Sequence, residues 1–168
     1  MKTLVLLRHA KAVKDDPDGD HARSLNAAGR EAATAAGERL RPLLPAGVLI
    51  AASDARRTRE TALHAFPDLA QAVRLEPAAY AAAPETLLDL IRDFPAEAPA
   101  AVLVGHNPGL SELAAVLAGH GDAQHVARLR HGMATADAVV FEVADDWRGV
   151  KPGSGRVMAF LARKGEED

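Results

Sequence analysis

Residues Met1 to Lys11 read MKTLVLLRHAK. Thr3 to Leu7 is an unbroken apolar run with a β-branched centre, the pattern of a strand buried on both faces rather than one half in water. It stops abruptly at Arg8 and His9. In an open α/β sheet the carboxyl ends of the strands border the crevice where ligands bind, so a cation and an imidazole placed there are site candidates. On this stretch alone they could equally open a solvated loop. A second stretch favours the site: Ala101 to Gly105 (AVLVG) is another buried-strand run, and it ends in His106, Asn107 and Pro108. Two histidines at two strand ends point to one crevice.

Outward from these strands the chain alternates helix and strand signals. Val13 to His21 (VKDDPDGDH) is a polar loop punctuated by Pro17 and Gly19, and its acidic run reads as solvated surface. Asn26 is an N-cap for a helix from Ala27 to Leu44, stopped by Pro42 and Pro45. Gly29 and Gly37 within it would each cost up to about 1 kcal/mol relative to Ala unless another part of the chain approaches closely. Val48 to Ala52 is the second strand. Ser53 or Asp54 then caps a helix that carries Leu63 and Phe66 and ends at Pro67. Arg56 and Arg57 fall in its first turn, where a cation opposes the helix dipole and a bound anion would remove that cost. Val73 to Glu76 is a short strand, and Pro77 to Ala83 a loop with the single tyrosine, Tyr80. Pro84 opens a helix in which Leu87, Ile91 and Phe94 share a face. Asn107 caps a helix that begins at Pro108 and is stopped by Gly119, so His106 sits at its positive end. Ala138 to Val143 and Arg156 to Ala162 read as a closing antiparallel hairpin.

A chain of 168 residues fits one domain able to bury its own core. Residues 1–163 are expected to form it, with 164–168 a disordered acidic tail. The absence of cysteine excludes thiolate nucleophiles and disulfides. Twenty basic against 23 acidic side chains, a net charge of −3, argue against a nucleic-acid surface. No apolar run approaches the ~20 residues of a membrane span, and Met1 leads straight into a strand rather than a signal peptide, so a cytoplasmic protein without a membrane partner is expected.

Arg8, His9, an arginine of the Ser53 helix and His106 do not suit a metal, because guanidinium groups repel a cation and no carboxylate stands at ligand spacing. They suit a phosphoryl group. Arginine forks hold non-bridging oxygens, a helix N-terminus adds backbone donors, and imidazole can take the phosphoryl group as a phosphoramidate that water later opens. Which of Arg56 and Arg57 takes part stays open on these grounds.

The motifs L-V-L-L-R-H at the N-terminus, R-x-L-x-x-x-G at Arg23 to Gly29, S-x-x-x-R-x-x-x-T at Ser53 to Thr61, and G-H-N-P at Gly105 to Pro108 resemble the histidine phosphatase superfamily. The short chain is most similar to its SixA branch of phosphohistidine phosphatases. The resemblance implies a three-layer α/β/α domain of the phosphoglycerate mutase type, its sheet mostly parallel with one antiparallel strand. It further implies that His9 is the nucleophile, that Arg8 and Arg57 hold phosphoryl oxygens, and that His106 contacts the phosphoryl group. Arg23, Asn107 and Ser53 are carried over as substrate-binding positions. Neither a metal nor a cofactor is implied.

Three departures qualify the likeness. Ala10 replaces the usual glycine after the first histidine. Glu76, with Glu85 behind it, is the nearest match to the family's general acid, and could equally be a surface residue. Arg130-His131-Gly132 spells the family triplet more literally than Arg8-His9-Ala10, but Val126 to Leu129 lacks a buried-strand pattern and no partner motif follows it. His21, His64, His120 and His125 read as surface or loop residues. The expected function is a metal-independent phosphatase acting through phospho-His9 on phosphohistidine of a partner protein, as a monomer. The alternatives are a phosphatase of small phosphorylated molecules and a non-catalytic phosphate-binding module.

Overall fold

The structure, a computed structural model, describes residues 1–163; the tail expected at 164–168 lies outside the described residues. Strand β1 (Lys2–Arg8) leads through helix α1 (Ala27–Leu40) to β2 (Leu49–Ala52), then through α2 (Arg56–Ala65) to β3 (Arg74–Leu75). Helix α3 (Pro84–Arg92) precedes β4 (Ala100–Gly105), which is followed by α4 (Gly109–Leu117), β5 (Ala118–Gly121), α5 (Ala123–Arg128), β6 (Ala138–Val143) and β7 (Gly155–Leu161). Among the described residues these seven strands form one sheet in the order β3-β2-β4-β1-β6-β7-β5. The pairings make β6 antiparallel to both β1 and β7, while the other strands run with β1.

β1 is central, between parallel β4 and antiparallel β6, which is why its apolar run shows no alternation. Leu4 and Leu6 point into a core shared with α3 and α4, through Leu87, Ile91, Leu110 and Leu113. Val5 and Leu7 point the other way, towards Leu40 of α1 and Ala62, Ala65 and Phe66 at α2. Three layers result. The chain therefore leaves adjacent parallel strands β1 and β4 towards opposite faces, and a crevice opens between their carboxyl ends.

Local chemistry explains most boundaries. Asn26 caps α1, its side chain accepting from Gly29 N at 2.8 Å. The helix ends at Leu40 rather than Leu44, because Pro42 starts a 3-10 turn over Arg41–Leu43. Both puzzling glycines are explained by close approach. A Cβ on Gly29 would lie 2.0 Å from Lys11 O, and one on Gly37 1.9 Å from Ala65 O. Three further helix-end expectations need correction. Helix α4 starts at Gly109, with Pro108 rather than Asn107 at its N-cap. Neither Ser53 nor Asp54 caps α2, whose N-cap is Ala55 without a side-chain bond, because the Ser53 hydroxyl is used elsewhere. Gly119 does not end α4 in a loop; it lies within β5, where its missing side chain lets the strand pass Gly153 O.

Candidate active site

The register that pairs Arg8 with Gly105 sets His9 and His106 side by side at the sheet edge. His9 N donates to Gly105 O at 3.1 Å, and the two rings stand 5.3 Å apart. His9 Nδ1 lies 2.8 Å from Ala10 O. A carbonyl can only accept, so the proton is on Nδ1 and the lone pair on Nε2. Burial, with Arg57 and Arg8 nearby, pushes the His9 imidazole down to about 4, so it is neutral near pH 7. Burial also lowers His106, to about 3, with Arg57 and His9 adding to the effect.

Thr61 ties α2 to this edge. Its hydroxyl donates to Arg57 O at 2.7 Å and accepts from Ala10 N at 3.0 Å. With Arg57 and Thr61 four residues apart, one helix face carries both the guanidinium and its anchor to the His9 loop. Arg57 is buried beside the two histidines, whereas Arg56 is exposed and pairs with Glu60 at 3.4 Å. Arg8 Nη1 donates to Met133 O at 2.8 Å. Three buried polar atoms here have no partner among the described residues: Arg8 Nε, Arg57 Nε and His106 Nδ1. Such groups are costly unless a ligand satisfies them.

The rim contains residues that sequence reading did not bring to the site. Asp20, in a 3-10 turn over Asp20–Ala22, offers its carbonyl to Arg57 Nη1 at 2.8 Å and its carboxylate to Arg57 Nη2 at 3.1 Å. The same carboxylate accepts from Arg23 at 2.8 Å and from the Tyr80 hydroxyl at 2.5 Å. These contacts hold its pKa well below the usual carboxylate range, Tyr80 and Arg23 foremost. The acidic loop is thus not wholly solvated surface. His21, exposed as expected, still reaches Asp54 at 2.9 Å and packs against Tyr80, whose ring edge meets His106 at 5.5 Å. The signal for Tyr80 was its being the sole tyrosine; Asp20 gave none, since the partners that bring it to the site, Arg57 and Tyr80, are 37 and 60 positions away.

The remaining candidates separate. Arg23 is on the rim, anchored to Val13 O and Asp20. Asn107 bridges, donating to Met133 O at 2.8 Å and accepting from Ser111 Oγ at 2.6 Å. Ser53 is fully buried behind His106 rather than lining the cleft. Glu76 makes an ion pair with Arg74 at 2.5 Å and is not joined to His9, Arg57 or His106. Glu85 is exposed on α3. Arg130 and His131 lie exposed in a 3-10 turn over Leu129–His131 rather than following a strand. Met133 and Asp137 were missed. Asp137 is buried, binds Ala134 N at 2.8 Å, and so shapes the turn whose Met133 carbonyl holds Arg8.

An imidazole lone pair ringed by unpartnered guanidinium donors at the switch point of an α/β/α sheet defines a phosphoryl-binding class of site. The profile of the Histidine phosphatase superfamily (branch 1) matches residues 4–79. An uncharacterized protein of Mycobacterium tuberculosis is 35% identical over 156 residues, which span 92% of this chain and 98% of that protein. A protein of Nakamurella multipartitia, described as a candidate phosphohistidine phosphatase SixA, superposes with a TM-score of 0.83 at 28% identity, covering 97% of this chain and 96% of its own. A similarly described protein of Agrobacterium tumefaciens gives 0.77 at 28% identity, with coverages of 96% and 97%. The chain belongs to the histidine phosphatase superfamily, and its shape is that of the SixA-type branch. No helix among the described residues is long and apolar enough to cross a membrane.

Proposed function

We propose that this protein is a phosphohistidine phosphatase that works through a phosphoenzyme on His9. The observation that carries the reading is the trio of buried unpartnered atoms, Arg8 Nε, Arg57 Nε and His106 Nδ1, gathered around an imidazole whose free nitrogen is Nε2. His9 Nε2 adds to phosphorus as the P–N bond to the substrate imidazole breaks. The leaving nitrogen keeps the bonding pair and, with a proton on that ring's other nitrogen, departs as a neutral imidazole. Water then adds to phosphorus, the P–Nε2 bond breaks, its pair returns to His9, and both water protons leave with dihydrogen phosphate. Arg8 and Arg57 stabilise charge on the transferring oxygens, and most of the rate enhancement in such transfers comes from stabilisation of that kind.

Leaving-group chemistry supports the phosphoramidate. An alkoxide needs a proton from a positioned acid, whereas an imidazole leaves with little help. Glu76, the nearest match to that acid, is instead engaged with Arg74. A groove of about 360 Å³, walled by Ala82, Pro84 and Pro108, opens beside His106 and offers room for a ring carried on a protein. We take the partner to be a phosphohistidine protein, with a monomer acting in the cytoplasm.

The test is brief incubation with a labelled phosphodonor, followed by mapping of the phosphorylated residue and comparison of a phosphohistidine protein with a panel of small phosphate esters. Label on His9, its loss in His9→Ala, and preference for the phosphoprotein are expected. Label on His131 would overturn the assignment; preference for esters would overturn the substrate class. Oxyanion binding without label would leave only a phosphate-binding module.

A further inference from the structure

His9 and His106 use opposite nitrogens, and the groups behind His106 decide why. Thr58 Oγ1 lies 2.8 Å from both Ser53 O and Ala55 O. Carbonyl oxygens only accept, so the single Thr58 proton is committed to them. The 2.9 Å contact between the Ser53 and Thr58 hydroxyls therefore uses the Ser53 proton, with Thr58 accepting. Ser53 Oγ is left with acceptor positions only. One takes Ala55 N at 3.3 Å, and the other faces His106 Nε2 at 2.6 Å. The hydrogen on that bond must belong to the imidazole. Nε2 of neutral His106 is thus protonated, and Nδ1, buried and unpartnered, is a bare lone pair beside His9.

A lone pair cannot accept a phosphoryl oxygen; it repels one unless a proton stands between them. We propose that Ser53 and Thr58 lock His106 as the Nε2–H tautomer, so that the site binds a phosphoryl group together with one proton at Nδ1. The inference rests on the phosphoryl-binding reading above. It makes Ser53 and Thr58 positioning residues, neither of which touches substrate. It also explains how an imidazole kept neutral by burial becomes a donor on demand: an arriving dianion supplies the charge that burial alone denies it. The groups facing His106 are Arg57 on α2, Arg8 at the end of β1 and His9 just after it, Asp20 and the Tyr80 ring on the rim, and Glu112 on α4 in the adjoining groove. Arg57, Arg8 and His9 oppose its charging and Asp20 favours it, so without an anion the balance stays with the neutral ring.

The whole protein, labelled with nitrogen-15, is observed at its histidine side chains between about pH 5 and pH 8, with and without sulfate, a dianion that brings no proton of its own. Expected in the free protein is Nε2–H at His106 and Nδ1–H at His9. Sulfate is expected to protonate His106 at both nitrogens, and its affinity to weaken by up to about tenfold per pH unit through the range in which that proton is gained. In Thr58→Val the Ser53 hydroxyl is released to donate to His106, the imidazole proton moves to Nδ1, and sulfate binds without charging the ring. Ser53→Ala is expected to act in the same direction. Nδ1–H at His106 in the free wild type overturns the proposal, a reading that needs no variant to fold. So does sulfate bound to a neutral His106 throughout the range. Sulfate that fails to bind at all would instead remove the phosphoryl-binding reading, with the tautomer still observed on its own.

Discussion

On the function proposed above, His9 is a nucleophile in a nest of cations, and the two requirements reinforce each other. Arg8 and Arg57 would be of no use to a protonated imidazole, but they help to keep it neutral, while Ala10 O keeps its lone pair on Nε2. Acylation of His9 Nε2 in the free protein is therefore expected to be half-maximal near pH 4, where an ordinary histidine titrates near 6.5. A midpoint at the ordinary value would mean that the ring is solvated. Arg57 is as demanding: its buried fork serves the Asp20 carbonyl and the Asp20 carboxylate and keeps an Nε that no group among the described residues meets. Lysine offers a point charge in place of that fork, so Arg57→Lys is expected to lower kcat/KM for a phosphohistidine substrate by roughly 10²-fold. Arg56→Lys, on the exposed side, is expected to leave it within about twofold. Composition could not separate these neighbouring arginines, because the helical phase that buries one and exposes the other is set by where α2 meets the sheet. Asp20 was illegible for a similar reason: an acidic residue in a Pro- and Gly-punctuated loop looks solvated until the fold brings Arg57 to it.

At the level of elements, contact distance between helices controls the site. α1 and α2 pack so closely at Gly37 that a methyl group there would overlap the Ala65 carbonyl. Gly37→Ala is expected to cost about 1–3 kcal/mol in urea unfolding, because backbone rather than a flexible side chain must yield. Thr61→Val tests the link from α2 to the loop that carries His9 and Ala10. It leaves the buried Ala10 N–H without an acceptor, and should cost about 1–3 kcal/mol while slowing phosphoryl transfer more than it weakens oxyanion binding. The long strands β1 and β4 and the helix signals were readable because burial on both faces and helical periodicity are local patterns. The glycines in α1 were readable only as anomalies, since the backbone that fills their place comes from elsewhere in the chain. β5 escaped altogether: AGHG has no strand chemistry, and its extended form is imposed by pairing with β7. The Met133 turn escaped likewise, as its role passes through a main-chain carbonyl and no side chain signals it.

Across the molecule, the site draws on the stability of the scaffold. The sheet holds two neutral, buried imidazoles in a cationic crevice, with folded values of about 4 for His9 and about 3 for His106 against an ordinary 6.5. Because both folded values are depressed, the unfolded chain binds more protons between those values and 6.5. The neutral rings therefore leave stability undiminished above that ordinary value, and it falls as pH drops through the window towards 3. At about 1.4 kcal/mol per pK unit, the loss across the window is on the order of a few kcal/mol for each ring. Carboxylate protonation, including that of Asp20, adds most of its own loss further into acid, so a comparison at about pH 6.5 and about pH 4.5 reads mainly the imidazoles. Urea unfolding at those two values should show wild type losing more stability than His106→Gln, whose amide can still donate to Ser53 without titrating. Sulfate should shrink the wild-type difference, since an anion in the crevice favours the charged rings in the folded state. Equal losses in the two proteins would mean that His106 is not held neutral by the fold.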